Sequence, residues 1–246
     1  MVESLRSALP EPLHRHLASA RELIHQHAAA PASIVPTTVD AFDDLLIGGL
    51  PRGQMVELVG DRSSGRFSTL LATLAATTGV GEAAALVDLG DGLDPRLAVQ
   101  AGVVLERFLW IRPKHLKQAV VGAEMLLSGG FPLVVIDLGD PPVPGGQGAE
   151  ASWLRLARSA QSHNAALLVS SPYRASGTAA IGVVKANRGR PRWSETGFAT
   201  PLLLGLSSRL SLEKLRGQQG TGNSTLRLMT PEAAIFGAME ALEGSS

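Results

Sequence analysis

The chain contains no cysteine, which excludes disulfide frameworks and thiolate metal centres alike. No apolar run approaches the roughly 18 residues that cross a bilayer, so no helical membrane span is expected. The opening MVESLRSALPEPLHRHLAS lacks the basic start and apolar block of a secretory leader. Formal net charge is +0, from 22 Lys/Arg and 22 Asp/Glu, which argues against a chain that coats nucleic acid through bulk charge. Together these absences point to a cytoplasmic protein. The six histidines show no pairing with carboxylates. His14 and His16 stand two apart, as do His25 and His27, which puts each pair on different faces of a helix. No metal site is expected.

What is present is enough apolar material for a real core: 45% of 246 residues. The charge is also unevenly spread. Residues 1–171 are net acidic, whereas residues 172–230 carry nine Lys/Arg against two Asp/Glu. An acidic body with a basic C-terminal third suggests a polyanionic or acidic partner for one face.

Residues 1–35 read as a separate N-terminal helix and linker. Leu13, Leu17, Ala20, Ile24 and Ala28 form one narrow apolar stripe, which the two prolines of AAAPASIVP then break. That stripe suits either the chain's own core or a partner. Residues 36–230 alternate wholly apolar strands with helices, the signature of a parallel sheet covered on both faces. The strands are QMVELVG, EAAALVDLG, RFLWIRP, PLVVIDLG and AALLVSS. Between them, FSTLLATLAATTG, DPRLAVQAG, HLKQAVVGAEMLLSGG and EASWLRLARSAQSHN read as helices, and a further helix is expected from about Thr178. Near the end, SRLSLEKLRG and NSTLRLM alternate around a turn and read as an antiparallel hairpin on the sheet's edge. Residues 231–246 read as a C-terminal helix and tail, with Ile235, Phe236 and Met239 on its apolar side. Trp110 and Trp153 are expected to pack in the core.

The stretch VELVGDRSSGRFST has the outline of a phosphate-cradling loop: strand, glycine, four residues, glycine, helix. Gly60, Arg62, Ser63, Ser64 and Gly65 keep that outline, so an anion could rest on the helix N-terminus. A working loop next needs Lys, for the β/γ oxygens, and a Ser or Thr hydroxyl, for Mg²⁺. Arg66 and Phe67 stand there instead. A planar guanidinium is wider than an ammonium, Phe67 supplies no ligand, and Ser68 comes one residue late, about 100° around the helix.

VPTTVDAFDDLLIGGLPRGQMVELVGDRSSGRFSTLLATL, ALVDLGDGLDPRLAVQAGV and LVVIDL follow in the order and spacing of the RecA recombinase core, which residues 36–228 resemble. The fold implied is a RecA-like α/β core. Its mainly parallel twisted sheet is flanked by helices, with an antiparallel C-terminal hairpin and a separate N-terminal helix. Among RecA relatives the size, short loops and degenerate Walker A loop resemble the ImuA family, accessory proteins of SOS mutagenesis. The resemblance also implies losses. Gly90 stands where RecA carries the glutamate that activates water, leaving Asp91 beside it as a poor substitute. Ser171-Pro172 replaces an Asn-Gln pair. Asp137 matches the Mg²⁺-associated aspartate (Walker B), although an aspartate at a strand end is equally a cap.

The loops that hold DNA in RecA correspond to GDPPVPGGQGAE, with no basic residue, and PYRASG, with only Arg174. The basic candidate is VVKANRGRPRW: Lys185, Arg188, Arg190 and Arg192, beside Trp193. It reads as a helix end and basic turn with Trp193 on the sheet edge, or as a contact for DNA or an acidic protein.

The expectation is therefore a degenerate P-loop pseudo-ATPase without catalytic residues, metal or obligate cofactor, in which weak nucleotide or phosphate binding survives at most. The ImuA resemblance implies an adaptor in the DNA-damage response. It would support translesion synthesis by binding an ImuB-like Y-family polymerase homologue, RecA, or both, and an error-prone replicative-type polymerase indirectly. Partner contacts would use Leu13, Leu17 and Ile24 or Ile235, Phe236 and Met239. The alternatives are a slow ATPase or nucleotide-gated filament protein on single-stranded DNA, and a SulA-like inhibitor of cell division.

Overall fold

Strands whose side chains are apolar at every position can be stable only with both faces covered, and alternation then decides which side chain meets which cover. A computed structural model of the protein describes residues 34–139, 150–194, 201–216 and 222–230. The expected N-terminal and C-terminal helices, and residues 140–149 of the first loop, lie outside the described residues.

A two-residue pairing of β1 (Ile34–Val35) with β2 (Leu50–Pro51) brackets helix α1 (Asp40–Asp43). The main sheet then alternates with helices in order: β3 (Met55–Gly60), α2 (Arg66–Gly79), β4 (Ala84–Asp88), α3 (Pro95–Gln100) and β5 (Phe108–Ile111). Next come α4 (Leu116–Ser128), β6 (Leu133–Asp137), α5 (Glu150–Ser162) and β7 (Ala166–Ser171). Four further strands close the fold: β8 (Gly182–Ala186), β9 (Arg190–Trp193), β10 (Leu203–Leu215) and β11 (Asn223–Met229).

Across the sheet the order is β5-β4-β6-β7-β3-β8-β10-β11, with β9 also paired to β10. The six strands from β5 to β8 are parallel, and the last three pairings, all through β10, are antiparallel. The parallel core and antiparallel edge therefore match the expected class.

Period two sorts the core into two layers. Val56, Leu58, Leu86, Val135, Leu168 and Val184 face one layer with Leu70 and Leu74 of α2. Met55, Val59, Val87, Ile136, Val169 and Val183 face the other with Leu127 of α4 and Trp153 and Leu156 of α5. Helix α2 buries threonines as well as leucines. Its Thr69, Thr73, Thr77 and Thr78 hydroxyls donate to the carbonyls four residues back, so none is stranded in the core. Among the described residues no helix is long and apolar enough to cross a membrane.

Three expectations need correction. No helix starts near Thr178: the chain turns and then forms β8 beside β3, because the β-branched Val183-Val184 favour a buried strand. The basic segment is accordingly a strand end, a turn and β9, not a helix end. Trp110 packs against the α2-covered layer but is only partly buried, since β5 is the edge strand, and its indole nitrogen donates to the buried Asp88 Oδ2 at 3.2 Å. Trp153, at 1% exposure, is core as expected.

Candidate functional site

Parallel strands gather their C-terminal tips on one side of the molecule, and here register lines up three polar residues. Asp88, Asp137 and Ser170 are neighbours across β4, β6 and β7. Each lies two residues beyond a side chain of the α2-covered layer, so all three share that face.

The loop from Gly60 to Gly65 runs from the tip of β3 into α2. A Cβ at Gly60 would sit 2.7 Å from the Ala186 carbonyl and 2.6 Å from Ser64 Oγ. Gly65 has φ +89°, and a Cβ there would sit 2.6 Å from a Leu226 methyl. Both glycines are therefore demanded by packing, Gly65 against β11. Ser64 is buried and its Oγ accepts from the Arg66 amide at 3.4 Å. Asp61, Arg62 and Ser63 form an exposed lip, whose Ser63 carbonyl accepts from the Gly189 amide at 2.8 Å.

Arg66, the first residue of α2, turns inward over the strand tips. Its Nη1 donates to Asp137 Oδ1 at 2.7 Å and to Ser170 Oγ at 2.5 Å, and Nη2 donates to the Gly139 carbonyl at 3.4 Å. Ser170 Oγ donates in turn to Asp137 Oδ1 at 2.8 Å. The ion pair is buried, with side-chain exposures of 8% and 5%. Burial pushes the Asp137 carboxyl above the ordinary carboxylate range, opposed by the Arg66 guanidinium and the Ser170 hydroxyl. Sequence reasoning singled out Arg66 and Asp137 but not that they bond to each other. It missed Ser170 altogether, because only strand register brings it there.

Gly90 is sealed by backbone. A Cβ on it would lie 2.5 Å from Gly139 Cα, and Leu89 donates to the Asp137 carbonyl at 2.9 Å. The turns after β4 and β6 thus press together where the resemblance expects a glutamate. Asp88 closes the same turn, accepting from the Gly92 and Leu93 amides at 3.1 and 3.0 Å. Asp91 leaves the site: its carboxylate takes both Nε and Nη2 of Arg112 at 2.6 and 2.7 Å, and that bond holds it below the ordinary range. The Arg112 guanidinium lies 5.0 Å from the Trp110 ring centroid. Phe67 packs partly buried against the core, with its ring beside Gly92, and Ser68 is exposed.

The shortened loop after β7 is also pinned. Glu57, buried in β3, accepts from the Ala175 amide at 2.5 Å, from the Ser176 amide at 3.3 Å and from the Ser176 hydroxyl. The Ser171 hydroxyl donates to the Tyr173 carbonyl. Nothing in the motif outline marks Glu57; a lone charge inside an apolar strand is the one signal that could have found it.

The basic candidates separate in space. Arg174 is exposed on the pinned loop, and Arg188 is exposed in the turn that meets the phosphate loop through Gly189. Lys185, Arg190 and Arg192 are exposed on strands, and Trp193 is 55% exposed. Two cations unremarked as a site in the sequence, Arg209 and Arg227, join them across β10 and β11.

A cleft of about 370 Å³ remains above the loop, lined by residues 61–68 together with Gly90, Gly92, Asp137, Gly139 and Leu206. A magnesium-bound triphosphate suits these residues poorly. A metal on Asp137 would have to displace a buried guanidinium, Phe67 offers no ligand oxygen, and Gly90 has no space for a carboxylate side chain.

A family model described as the RecA N-terminal domain matches residues 21–147. The chain is similar to Protein RecA of Clavibacter michiganensis, 42% identical over 110 residues, which cover 44% of this chain and 30% of that protein. It is similar to Protein RecA of Mycobacterium marinum, 41% identical over 109 residues, covering 44% and 32%. It is also similar to Protein RecA of Nocardia farcinica, 40% identical over 114 residues, covering 46% and 33%. The match thus spans about a third of the length of these curated relatives.

Proposed function

This chain belongs to the RecA N-terminal domain family, and on that premise we propose that it is a binding protein of the DNA-damage response that no longer turns over nucleotide. The supporting observation is the buried Arg66–Asp137–Ser170 cluster. The side chain that should hold phosphate is bonded instead to the side chain that should hold metal. The Gly90–Gly139 contact supports the same reading independently, since it removes the space for a catalytic glutamate. A recombinase core kept for its surfaces needs no nucleotide chemistry.

The finer reading follows the ImuA resemblance. The chain serves as an adaptor in SOS mutagenesis, binding an ImuB-like Y-family polymerase homologue or RecA and so supporting error-prone synthesis across lesions. The short, pinned loop after β7 supports a role other than strand exchange, because Glu57 holds it against the sheet.

The test is a titration of the full chain with fluorescent ATP and Mg²⁺, with phosphate release followed in parallel. No saturable magnesium-dependent binding and no release are expected. Micromolar binding with turnover would remove the pseudo-ATPase reading, and loss of Arg66's bonds on nucleotide addition would show how.

A further inference from the structure

Among the described residues, the helices that cover the sheet stop short of its antiparallel edge. The layer under α4 and α5 ends at Val183 of β8, and none of its buried residues comes from β10 or β11. On the opposite side, Leu210, Leu212 and Leu226 turn into the core. Alternation therefore sends Ser207, Arg209 and Ser211 of β10 to the side that no described helix covers, the uncovered face. Register adds Lys185 opposite Ser211, Thr225 opposite Arg209, and Arg227 and Arg190 on either side of Ser207. Arg192, opposite Gly205, extends the set.

Lys185, Arg190, Arg192, Arg209 and Arg227 are all exposed on this face. Among the described residues the only carboxylate that approaches them is Glu213, 3.9 Å from Lys185. Like charges facing one another across strands are unfavourable, and a face meant only for solvent intersperses both signs. In a chain of zero formal charge, such a concentration of cations fits an anionic partner. Arginine supplies most of it, and its planar fork suits bidentate carboxylate or phosphate oxygens.

The corner beside Arg192 decides between those two. Trp193, Leu203 and Met229 are 55%, 45% and 57% exposed, and Leu202 beside them is 46% exposed. Met229 pairs with the Gly205 that faces Arg192 and so shares the cation face, whereas Trp193, the next residue after Arg192 on β9, and its partner Leu203 alternate to the other face. Single-stranded nucleic acid is held by aromatic rings interleaved with the cations. Here no aromatic side chain of the described edge strands alternates onto the cation face, and Met229 on it can bury apolar groups but does not stack bases.

We propose that the uncovered face of the antiparallel edge docks an acidic polypeptide segment that also carries apolar side chains. Its carboxylates would meet Arg190, Arg209 and Arg227, and its apolar residues would meet Met229. The proposal rests on the adaptor reading and names the chemistry of one partner.

The test is fluorescence anisotropy of the full chain with three labelled probes. They are a peptide alternating Asp/Glu with Leu, the same peptide with Ser for Leu, and an oligothymidine of equal charge. The Leu-containing peptide should bind best and weaken as salt is raised. The triple variant R190A/R209A/R227A should weaken it by roughly tenfold or more. M229S should weaken it several-fold while leaving the Ser-containing peptide unchanged. Unchanged melting of both variants separates lost contacts from lost fold. Tighter binding of oligothymidine through the same arginines would overturn the proposal in favour of nucleic acid. Equal binding of both peptides would reduce it to bulk charge, and no binding of any probe would remove it. ATP turnover would undo the adaptor reading with the peptide result intact, whereas peptide failure leaves the closed phosphate site as it is.

Discussion

The strand tips of the parallel body and the open face of the antiparallel edge both concentrate charge, and they treat it in opposite ways. At the tips, Arg66, Asp137 and Ser170 bond to one another in a buried cluster, and Asp88 and Glu57 are each spent on backbone amides of adjoining loops. On the edge, Arg190, Arg192, Arg209 and Arg227 are exposed, and among the described residues no carboxylate pairs with them. A charge that is paired and desolvated is part of the fold, and opening it to a ligand means breaking that pair. A charge held in water is available at little cost. In the proposed adaptor, the family's usual binding region serves as structure and the exposed edge as the surface for recognition.

The sharpest way to break this comparison is to remove Arg66. Arg66→Ala leaves a buried carboxylate without its cation, so stability should drop by about 3–5 kcal/mol. For a chain of this size that is about 2–4 °C of Tm per kcal/mol, measured by thermal melting with a reversible denaturant titration beside it. Replacing both partners, as R66M/D137L, should recover most of the loss, because no charge is then stranded. The pH dependence carries its own sign. Burial raises the Asp137 carboxyl, so the native state keeps its proton where the unfolded chain has released it. Native protein then binds more protons, and stability falls as pH rises from the ordinary carboxylate range through the raised value. Without the opposing guanidinium that window widens. The Arg66→Ala deficit should therefore be small at acid pH and grow toward neutrality. A deficit independent of pH would mean that Asp137 is not the residue left stranded.

A smaller effect is expected at Gly90. Gly90→Ala pushes a methyl into the Gly139 backbone and should lower stability by about 1–3 kcal/mol, the usual range for overpacking. Gly90→Glu, which restores the residue type the family uses, should be at least as unstable and should release no phosphate from ATP. If Gly90→Ala melts with the parent protein, the two turns are not in contact and the site is more open than described.

These sites differ in how far the sequence disclosed them. The parallel strands were legible because QMVELVG, PLVVIDL and AALLVSS are apolar at every position, which a sheet covered on both faces requires. The misfit at Arg66 and Phe67 was legible because motif spacing is local. What the guanidinium does instead was not, since Asp137 lies 71 residues away and Ser170 lies 104 away. Only the register of β6 against β7 brings them together. Gly90 read as a lost side chain, whereas the reason no side chain fits comes from Gly139 on another turn. Strand β8 was misread as a helix because a short Ala- and Val-rich run looks alike in either form until its neighbours are known. Arg209 and Arg227 sat in segments correctly read as a hairpin. Their kinship with Arg190 depended on β9 pairing with β10, which no local pattern announces.

The smallest expected effect is the most informative about the edge. Replacing Arg190, Arg209 and Arg227 together removes three exposed cations that have no described partner. Surface changes of this kind usually stay within about 0.5 kcal/mol each. Here relief of repulsion among neighbouring cations works against any loss of packing by their stems. The triple variant should therefore melt with the parent protein or slightly above it, and the small gain should fade as salt screens the repulsion. A measurable destabilisation would mean that these arginines hold the fold together, as Arg66 does, and the contrast between the two regions would collapse. A neutral or raised Tm joined to a lost interaction is the pattern expected of residues kept for a partner and not for the fold.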